Sequence, residues 1–146
     1  MFGDGGTAYV YFTYGMHHCM NVAASVAGDP QAVLIRGLEP TESLDLIRAH
    51  RPRAKRGVDL CSGPARLCEA LRIDRSLSGI DLLSHDGLWI ERVRKTALPA
   101  DRIETTPRVG VRYAGDWAAK RLRFVIRGHP HASRPAKSSM AWQGGL

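Results

Sequence analysis

The sequence predicts an α+β fold, a single mixed domain in which an antiparallel sheet is accompanied by a few short helices. The length of 146 residues fits one domain. Short segments of alternating apolar residues are separated by glycine and proline turns, which indicates strands. Only two segments, each about as long as the predicted strands, have apolar residues at helical spacing. Strands scattered among a few helices are typical of the α+β class.

The N-terminal quarter predicts three strands. Residues 8–14 alternate and are rich in β formers, residues 15–18 predict a turn, and residues 19–26 predict a second strand. Together they form a β-hairpin. After a turn at residues 28–30, residues 32–40 predict a third strand that ends at a proline.

Two helices are predicted, each after a polar residue of the type that caps helix N-termini. The first follows Thr41 and has Leu44 and Ile47 on its apolar side. The second follows Ser62 and has Pro64 in its first turn, where proline is well tolerated.

The C-terminal half predicts more strands and a tail. Residues 86–92 and 108–115 are expected to be strands, and residues 116–128 a helical turn followed by a last strand. Residues 134–146 lack a hydrophobic period and are expected to be disordered. The domain is therefore predicted to comprise residues 1–133, with no internal repeat.

Charge and cysteine content narrow the function classes. Lys and Arg total 21 against 14 Asp and Glu, a net charge of +7, which favours nucleic acid first and a membrane surface second as partners. The apolar runs are too short to span a bilayer, and no signal peptide is evident. Three cysteines without zinc-site spacing indicate reduced thiols in the cytoplasm.

Residues 8–21, AYVYFTYGMHHCMN, are unusually rich in tyrosine. Because side chains alternate along a strand, Tyr11 lies on one face of the hairpin while Tyr14 projects from its tip. On a basic protein, an aromatic in a pocket and another at a tip suit the capture of a flipped base. The alternative, favoured by this stretch alone, is that the tyrosines are ordinary sheet aromatics. His17 and His18 lack partners at metal-ligand spacing, so no metal site is predicted.

Four segments, AYVYFTYGMHHCMN, AVLIRGLEP, LCSGPARLCEAL and PRVGVRYAGDWA with its following LRF, resemble consecutive motifs of the alkyladenine (3-methyladenine) DNA glycosylase family. They cover residues 2 to about 133. The resemblance implies a monomer built around a curved antiparallel sheet with a protruding β-hairpin. It implies hydrolytic removal of alkylated or deaminated purines from double-stranded DNA in base-excision repair, without metal or cofactor. The location would be the cytoplasm, at the nucleoid, or the nucleus if the source is eukaryotic.

The resemblance assigns roles to three residues of the hairpin, and Met16 is added as the neighbour of one of them. Tyr11 would stack on the flipped base, and its electron-rich face would favour a cationic purine. Asn21 would crowd the exocyclic amine of guanine and so exclude it. Tyr14 would enter the minor groove as a wedge, with Met16 as its apolar companion. The alternatives are a core role for Tyr11 and a strand-filling role for Asn21.

Two further residues would hold the attacking water. Arg36 resembles an arginine beside the reacting centre, and Val109 resembles the residue whose main-chain carbonyl helps to hold that water. The alternatives are an ion pair between Arg36 and Glu39 and simple sheet packing by Val109.

A basic loop before the second helix is expected to contact DNA phosphates, through Arg51, Arg53, Lys55 and Arg56. The start of that helix, at Ser62 and Gly63, offers free backbone amides that can also hold a phosphate. These contacts would give affinity without selecting damaged bases.

One departure from the family pattern concerns the reaction itself. The family's general base is a glutamate in an ETEAY-like segment upstream of the part that Phe2 begins to match, and the sequence has no such segment. Asp4 lies in a glycine loop and Glu39 beside a proline, so no catalytic carboxylate is assigned. Relative to the family the chain is N-terminally truncated, and it is expected to be inactive as it stands.

Three explanations for this departure stay open. A start codon assigned too late is favoured, because Met1 and Phe2 resemble internal family sequence. The others are a fragment and a truncated, inactive relative. Two functions follow: a damaged-purine glycosylase that lacks its general base here, or a non-catalytic DNA-binding remnant of the same fold.

Overall fold

The computed structural model describes residues 1–132 and has an α+β architecture with antiparallel sheets, as predicted. The chain divides into two compact units, Met1–Val93 and Arg94–Leu146. The tail predicted to be disordered, residues 134–146, lies outside the described residues. No helix within residues 1–132 combines the length and the apolar character that crossing a bilayer demands.

The first unit contains a three-stranded antiparallel sheet in the order β1-β2-β3. Its strands are β1 (Ala8–Thr13), β2 (His17–Ala23) and β3 (Ala32–Leu34). The predicted hairpin is confirmed, but β2 begins two residues earlier than expected, because a three-residue turn suffices to reverse the chain. His17 and His18 are therefore strand residues and not turn residues.

The third strand is shorter than predicted. The amide of Ile35 still donates to the carbonyl oxygen of Met20 at 3.0 Å, which adds one rung beyond β3. The amide of Leu38 instead donates to the carbonyl oxygen of Cys61 at 3.2 Å, so the chain has left the sheet. The prediction of a strand as far as residue 40 is wrong for this reason.

Backbone from residues 78–81 lines the outer edge of β1. Ala8 donates its amide to Ile80 at 2.9 Å and accepts from Gly79 at 2.8 Å. The hydroxyl oxygen of Ser78 accepts from the amide of Val10 at 3.2 Å. An open strand edge invites pairing with other chains, and this segment covers it.

Two helices follow the sheet, α1 (Leu44–His50) and α2 (Pro64–Ala70). Both were predicted, but their caps differ from the prediction. Ser43, not Thr41, precedes α1, and Gly63, not Ser62, precedes α2; neither makes a side-chain capping hydrogen bond. The predicted place of proline in the first turn of α2 is confirmed. Single-turn 3₁₀ helices at Gly57–Asp59 and Arg75–Leu77 flank α2.

The core of the first unit lies between one face of the hairpin and the helices. Its buried side chains come from β1, β2, α1, α2 and the segments beside them: Ala8, Val10, Met20, Ile47, Leu60, Cys61, Leu67, Cys68, Ala70, Ile73 and Leu82. All three cysteines are buried and free. Burial raises the pKa of the Cys68 thiol to about 11, so it is protonated at neutral pH.

Residues 86–92, predicted as a strand, have no regular secondary structure. One ladder-like bond runs from the amide of Ile90 to the carbonyl oxygen of Leu82, at 2.8 Å. Leu88 packs against the core, but Trp89 and Ile90 are both exposed, so the segment has no continuous buried face. An alternating pattern forms a strand only where one face can be covered.

The second unit contains a two-stranded antiparallel sheet of β4 (Ile103–Thr106) and β5 (Arg123–Ile126). The last strand is confirmed, and β4 was missed. Residues 108–115, predicted as a strand, instead enter a run of 3₁₀ turns at Arg112–Ala118 that is interrupted at Gly115. The positive φ angles of Gly110 (78°) and Gly115 (53°) turn the chain out of an extended conformation.

Candidate nucleic-acid interface

The hairpin tip presents two apolar side chains to solvent. Tyr14 is 83% exposed and Met16 is 69% exposed. Tyr14 and Gly15 both have positive φ, 53° and 66°, and the amide of Met16 closes the turn on the carbonyl oxygen of Thr13 at 3.2 Å. Consecutive positive φ angles suit the twist of a hairpin, but they are uncommon for a residue with a side chain. The fold therefore holds a large aromatic at an unfavourable backbone angle on an exposed tip.

Gly15 is needed for its backbone angle and not for space. A Cβ atom built there would meet nothing within 4 Å, so the position is sterically open. Glycine adopts positive φ without the steric cost that an L side chain carries. Of the two positive φ angles in this turn, the strained one thus falls on Tyr14. The other falls on Gly15, the residue type that tolerates it best.

One face of the hairpin carries the predicted base-binding residues. Tyr9 lies opposite Asn21 and Tyr11 lies opposite Cys19, so all four side chains share that face. The rings of Tyr9 and Tyr11 lie 5.6 Å apart with an interplanar angle of 31°. The structure thus brings Tyr11 and Asn21 together as diagonal neighbours, and it adds Tyr9 to the same aromatic surface.

Asn21 is held in place by the strand opposite it. Its side chain is 8% exposed, and its Nδ2 donates to the carbonyl oxygen of Tyr9 at 3.1 Å. A buried amide with a fixed donor cannot rotate freely, so it defines the shape of the surface beside Tyr11. Tyr9 was not among the predicted site residues, although its two-residue spacing from Tyr11 was the available signal.

Near the tip, the opposite face of the hairpin carries Phe12 and His18. Phe12 is 48% exposed, and its ring lies 4.9 Å from the ring of His18. Within residues 1–132, no group of three His, Cys, Asp or Glu side chains is arranged to hold a metal ion. The two histidines of β2 therefore belong to the surface of the hairpin.

Arg36 follows the end of β3 and is half-buried. Its Nε is buried and has no hydrogen-bond partner among the described residues. A buried donor without a partner is costly, so this atom is suited to a group that these residues do not supply. Val109, the second predicted water-holding residue, is half-buried beside Gly110 in the unit Arg94–Leu146.

Two residues of the basic loop are simply exposed, and the other two form ion pairs. Arg53 and Lys55 are exposed. Arg51 is largely buried, with 12% of its side chain exposed, and it forms an ion pair with Glu69 of α2. Arg56 is exposed but is engaged within the loop itself. Charge count alone could not make this distinction, because it depends on contacts across the fold.

The partner of Arg56 is Asp59. The Nε and Nη2 of Arg56 donate to the two carboxylate oxygens of Asp59, each at 2.9 Å. These hydrogen bonds raise the pKa of the Arg56 guanidinium and lower the pKa of the Asp59 carboxyl. The pair is bidentate, which fixes the plane of the guanidinium.

Ser62 and Gly63, predicted to face a phosphate, are buried at the start of α2. The hydroxyl oxygen of Ser62 accepts from Nη1 of Arg66 at 3.3 Å. The side chain of Arg66 also lies beside Gly63, because a Cβ built there would be 3.6 Å from its Cδ. Arg66 is a half-exposed basic group beside the loop that the sequence prediction missed; its four-residue spacing from Ser62 was the signal.

Comparison with known proteins matches these features to one family. The family model described as methylpurine-DNA glycosylase matches residues 1–130. The human protein named DNA-3-methyladenine glycosylase is 42% identical over 142 residues, which cover 91% of this chain and 46% of that protein. The mouse protein of the same name is 38% identical over 141 residues, covering 91% and 42%. The chain spans about half the length of these two relatives. The chain belongs to the methylpurine-DNA glycosylase family.

Proposed function

We propose that this protein is a base-excision repair glycosylase that binds double-stranded DNA as a monomer and flips alkylated or deaminated purines of the 3-methyladenine type. In this proposal the bond between base and sugar is hydrolysed without a metal or cofactor. The supporting observation is the hairpin, which joins a half-buried aromatic surface with a buried amide to an exposed apolar tip. Family membership and the names of the relatives point to the same activity.

The tip is the proposed wedge. An apolar side chain inserted between base steps compensates part of the unstacking cost, which is a few kcal/mol. Tyr14 and Met16 are suited to this because both are exposed and both stand on one hydrogen-bonded turn. A turn of fixed geometry loses little conformational entropy when it enters the groove.

The face with Tyr11 and Asn21 is the proposed floor of the base pocket. A tyrosine ring stacks on any purine and attracts a cationic one more strongly, so Tyr11 favours 3-methyladenine over adenine. The amide of Asn21, fixed by its bond to Tyr9, crowds the exocyclic amine of guanine. Tyr9 supports the ring of Tyr11 from the side.

The remaining roles come from the family assignment. Arg36 and Val109 would hold the attacking water, and the unpartnered Nε of Arg36 agrees with a role toward a bound group. Phosphates would be contacted by Arg53 and Lys55, with a smaller contribution from Arg56, whereas Ser62 and Gly63 are buried and the Gly63 amide already donates to the carbonyl oxygen of Cys61 at 3.0 Å. Such contacts give affinity but do not select the lesion.

Residues 1–146 contain no carboxylate matched to the family's general base, so we propose that they bind and flip without cleaving. The carboxylate of Asp4, which precedes the hairpin in the chain, already accepts a hydrogen bond from the amide of Ala27 at 3.1 Å. Hydrolysis needs a group that activates water toward the sugar carbon. This proposal distinguishes the 146-residue chain from a longer protein that supplies the base.

The test uses the purified 146-residue chain and a duplex with a single hypoxanthine. We expect binding at low salt but no alkali-labile strand breaks above a buffer control. Breaks above the control would show that another group replaces the missing base. Failure to bind the duplex at low salt would remove the proposed function itself.

The second candidate function is a non-catalytic DNA-binding module of the same fold, and the absence of a matched general base favours it. The nucleotides upstream of the codon for Met1 separate the two. An in-frame ETEAY-like coding stretch supports the glycosylase, whereas a stop codon directly upstream supports the module.

A further inference from the structure

The C-terminal ends of α1 and α2 are joined at two points. The Nδ1 of His50 donates to the carbonyl oxygen of Ala70 at 2.8 Å, and the guanidinium of Arg51 forms an ion pair with Glu69. Because a carbonyl oxygen only accepts, Nδ1 of His50 carries the hydrogen of this bond. We call these four residues the α1–α2 clamp.

Arg51 is the residue that ends α1, and it is also the first residue of the basic loop. Its amide donates to the carbonyl oxygens of Ile47 and Arg48, each at 3.0 Å, which completes the last turn of α1. Its own carbonyl oxygen accepts from the amide of Ala54 at 2.9 Å, which forms the first turn of the loop. Any force that fixes Arg51 therefore fixes the direction in which the loop leaves the helix.

The Arg51 side chain runs inward and not toward solvent. Only 12% of it is exposed, against 51% of the Glu69 side chain. Burial raises the pKa of the Cys61 thiol, and the Arg51 guanidinium partly opposes that rise, which places the guanidinium near a core cysteine. The Nε of Arg51 is buried without a hydrogen-bond partner among the described residues, but a phosphate could reach it only if the guanidinium moved outward and away from Glu69, and that is costly.

We propose that Arg51 and Glu69 are positioning residues for DNA binding. Their ion pair holds the root of the basic loop against α2, so that the exposed Arg53 and Lys55 meet successive phosphates. Arg51 itself contacts no phosphate. The inference rests on the proposed DNA-binding function and adds an unusual requirement: a carboxylate, Glu69, is needed to bind a polyanion.

This requirement can be tested directly, because simple electrostatics predicts the opposite change in DNA affinity when Glu69 is neutralised. Removing a negative charge near the interface normally strengthens DNA binding. We expect Glu69→Gln to weaken duplex binding about threefold to tenfold, the range of a lost local coupling. The slope of log Kobs against log salt should stay unchanged, because Arg53 and Lys55 still reach their phosphates in the complex and only the cost of ordering the loop rises. Arg51→Gln should give the same result, whereas Arg53→Gln should reduce the slope by about 0.9.

The measurement is fluorescence anisotropy of a labelled duplex across a series of salt concentrations. Asp45→Asn is the matched control, because Asp45 forms an exposed ion pair with Arg48 on the same helix, at 3.6 Å. It should bind at least as tightly as the unmodified chain. The double variant with Arg51→Glu and Glu69→Arg should recover affinity, because the pair is restored with its charges exchanged. Circular dichroism melts check that each variant folds.

Two results would overturn the proposal: a Glu69→Gln variant that binds as tightly as the Asp45→Asn control, or an Arg51→Gln variant whose salt slope falls by about 0.9. Hydrogen exchange of the Ala54 amide, which donates to the carbonyl oxygen of Arg51 at 2.9 Å, gives a readout without DNA. It should be at least about threefold faster in Glu69→Gln, as expected for loss of a local contact. Unchanged exchange would refute the clamp. Absence of DNA binding by the unmodified chain would instead refute the proposed function.

Discussion

The two compact units differ in what they bury. All buried apolar side chains among residues 1–132 lie in Met1–Val93, and most of them form the core of that unit. In Arg94–Leu146 the buried residues within the described part are Arg123 and His129, both polar. One unit thus has a hydrophobic core, and the described part of the other depends on polar contacts.

Arginine side chains supply many of the contacts in the second unit. Nε of Arg121 donates to the carbonyl oxygen of Thr105 at 3.0 Å, and Nη1 of Arg123 donates to the hydroxyl of Thr106 at 3.1 Å. Meanwhile Tyr113 and Phe124 are 85% and 68% exposed. Hydrogen bonds contribute about 1 kcal/mol each, less than the burial of a large apolar side chain. Substitutions should therefore affect stability far more in the first unit.

The largest expected effect tests that difference in burial. Leu67 of α2 is fully buried, and Leu67→Ala should lower the free energy of unfolding by about 2–5 kcal/mol, through lost burial and a cavity. Phe124→Ala, on an exposed site of the second unit, should change it by no more than about 0.5 kcal/mol. Urea unfolding followed by circular dichroism measures both. Similar losses would mean that the second unit has apolar packing comparable to the first.

The next effect concerns function and separates the wedge from the base platform. Tyr11→Ser should weaken binding to an etheno-adenine duplex by about 1–3 kcal/mol, since the stacking face is lost, and should spare an abasic analogue. Tyr14→Ser should weaken binding to both duplexes, because both require a nucleotide to be flipped. Binding isotherms for each variant on each duplex provide the measurement.

Tyr113 offers a control matched in exposure for this pair of substitutions. It is 85% exposed in the second unit, against 83% for Tyr14 in the first. Tyr113→Ser should leave both isotherms unchanged. If the Tyr11 and Tyr14 variants weaken both duplexes equally, the tyrosines share a packing role and the separate assignments are wrong.

Local patterns predicted the hairpin because the information lies within a few neighbours, whereas the roles of Tyr11 and Asn21 came from the family resemblance. Period-two alternation places Tyr11 and Asn21 on strands, although the turn lies at residues 14–16 and not at the predicted residues 15–18. The register depends on the position and length of the turn, and the predicted turn would have paired Asn21 with Phe12 and not with Tyr9. The strands are thus the part of the candidate site that could be predicted from local pattern, whereas the face shared by Tyr11 and Asn21 required the fold.

The features that sequence missed are set by distant contacts. Leu38 leaves the sheet because its amide bonds to Cys61, and the extended pattern at residues 108–115 fails at glycines with positive φ. Arg51 looks like a surface charge until α2 brings Glu69 to it, 18 residues later. Such pairings depend on how elements pack, which no local period encodes.

A smaller effect compares the exposed basic residues of the two units. Replacing Arg53 and Lys55 with serine should weaken duplex binding about threefold to tenfold at 0.1–0.2 M salt and should reduce the salt slope by about 0.9 for each lost phosphate contact. Arg112→Ser, also exposed but in the second unit, serves as the control and should leave the slope unchanged. A slope that falls only with Arg112→Ser would move the phosphate contacts to that unit.

The smallest expected effect concerns stability in acid. It too should arise in the first unit, because the described carboxyl groups with a lowered pKa lie there: Asp59, Asp74 and Asp81. The Asp81 carboxylate accepts from the amide of Leu83 at 2.9 Å and the hydroxyl of Ser84 at 2.8 Å, which lower its pKa in that order of importance. Its folded-state pKa is thus below the unfolded value of about 3.9.

The stability that Asp81 contributes is complete above the unfolded pKa and is lost as pH falls through the lower, folded one. Asp81→Asn should therefore narrow the difference between the urea midpoints at about pH 7 and about pH 3, the range that spans this titration. Ser84→Ala removes only the second donor and should narrow the difference between the two urea midpoints less. Because Asp81 is exposed, both changes should be small. Equal midpoint differences in Asp81→Asn and the unmodified chain would mean that these hydrogen bonds do not favour the ionised carboxylate.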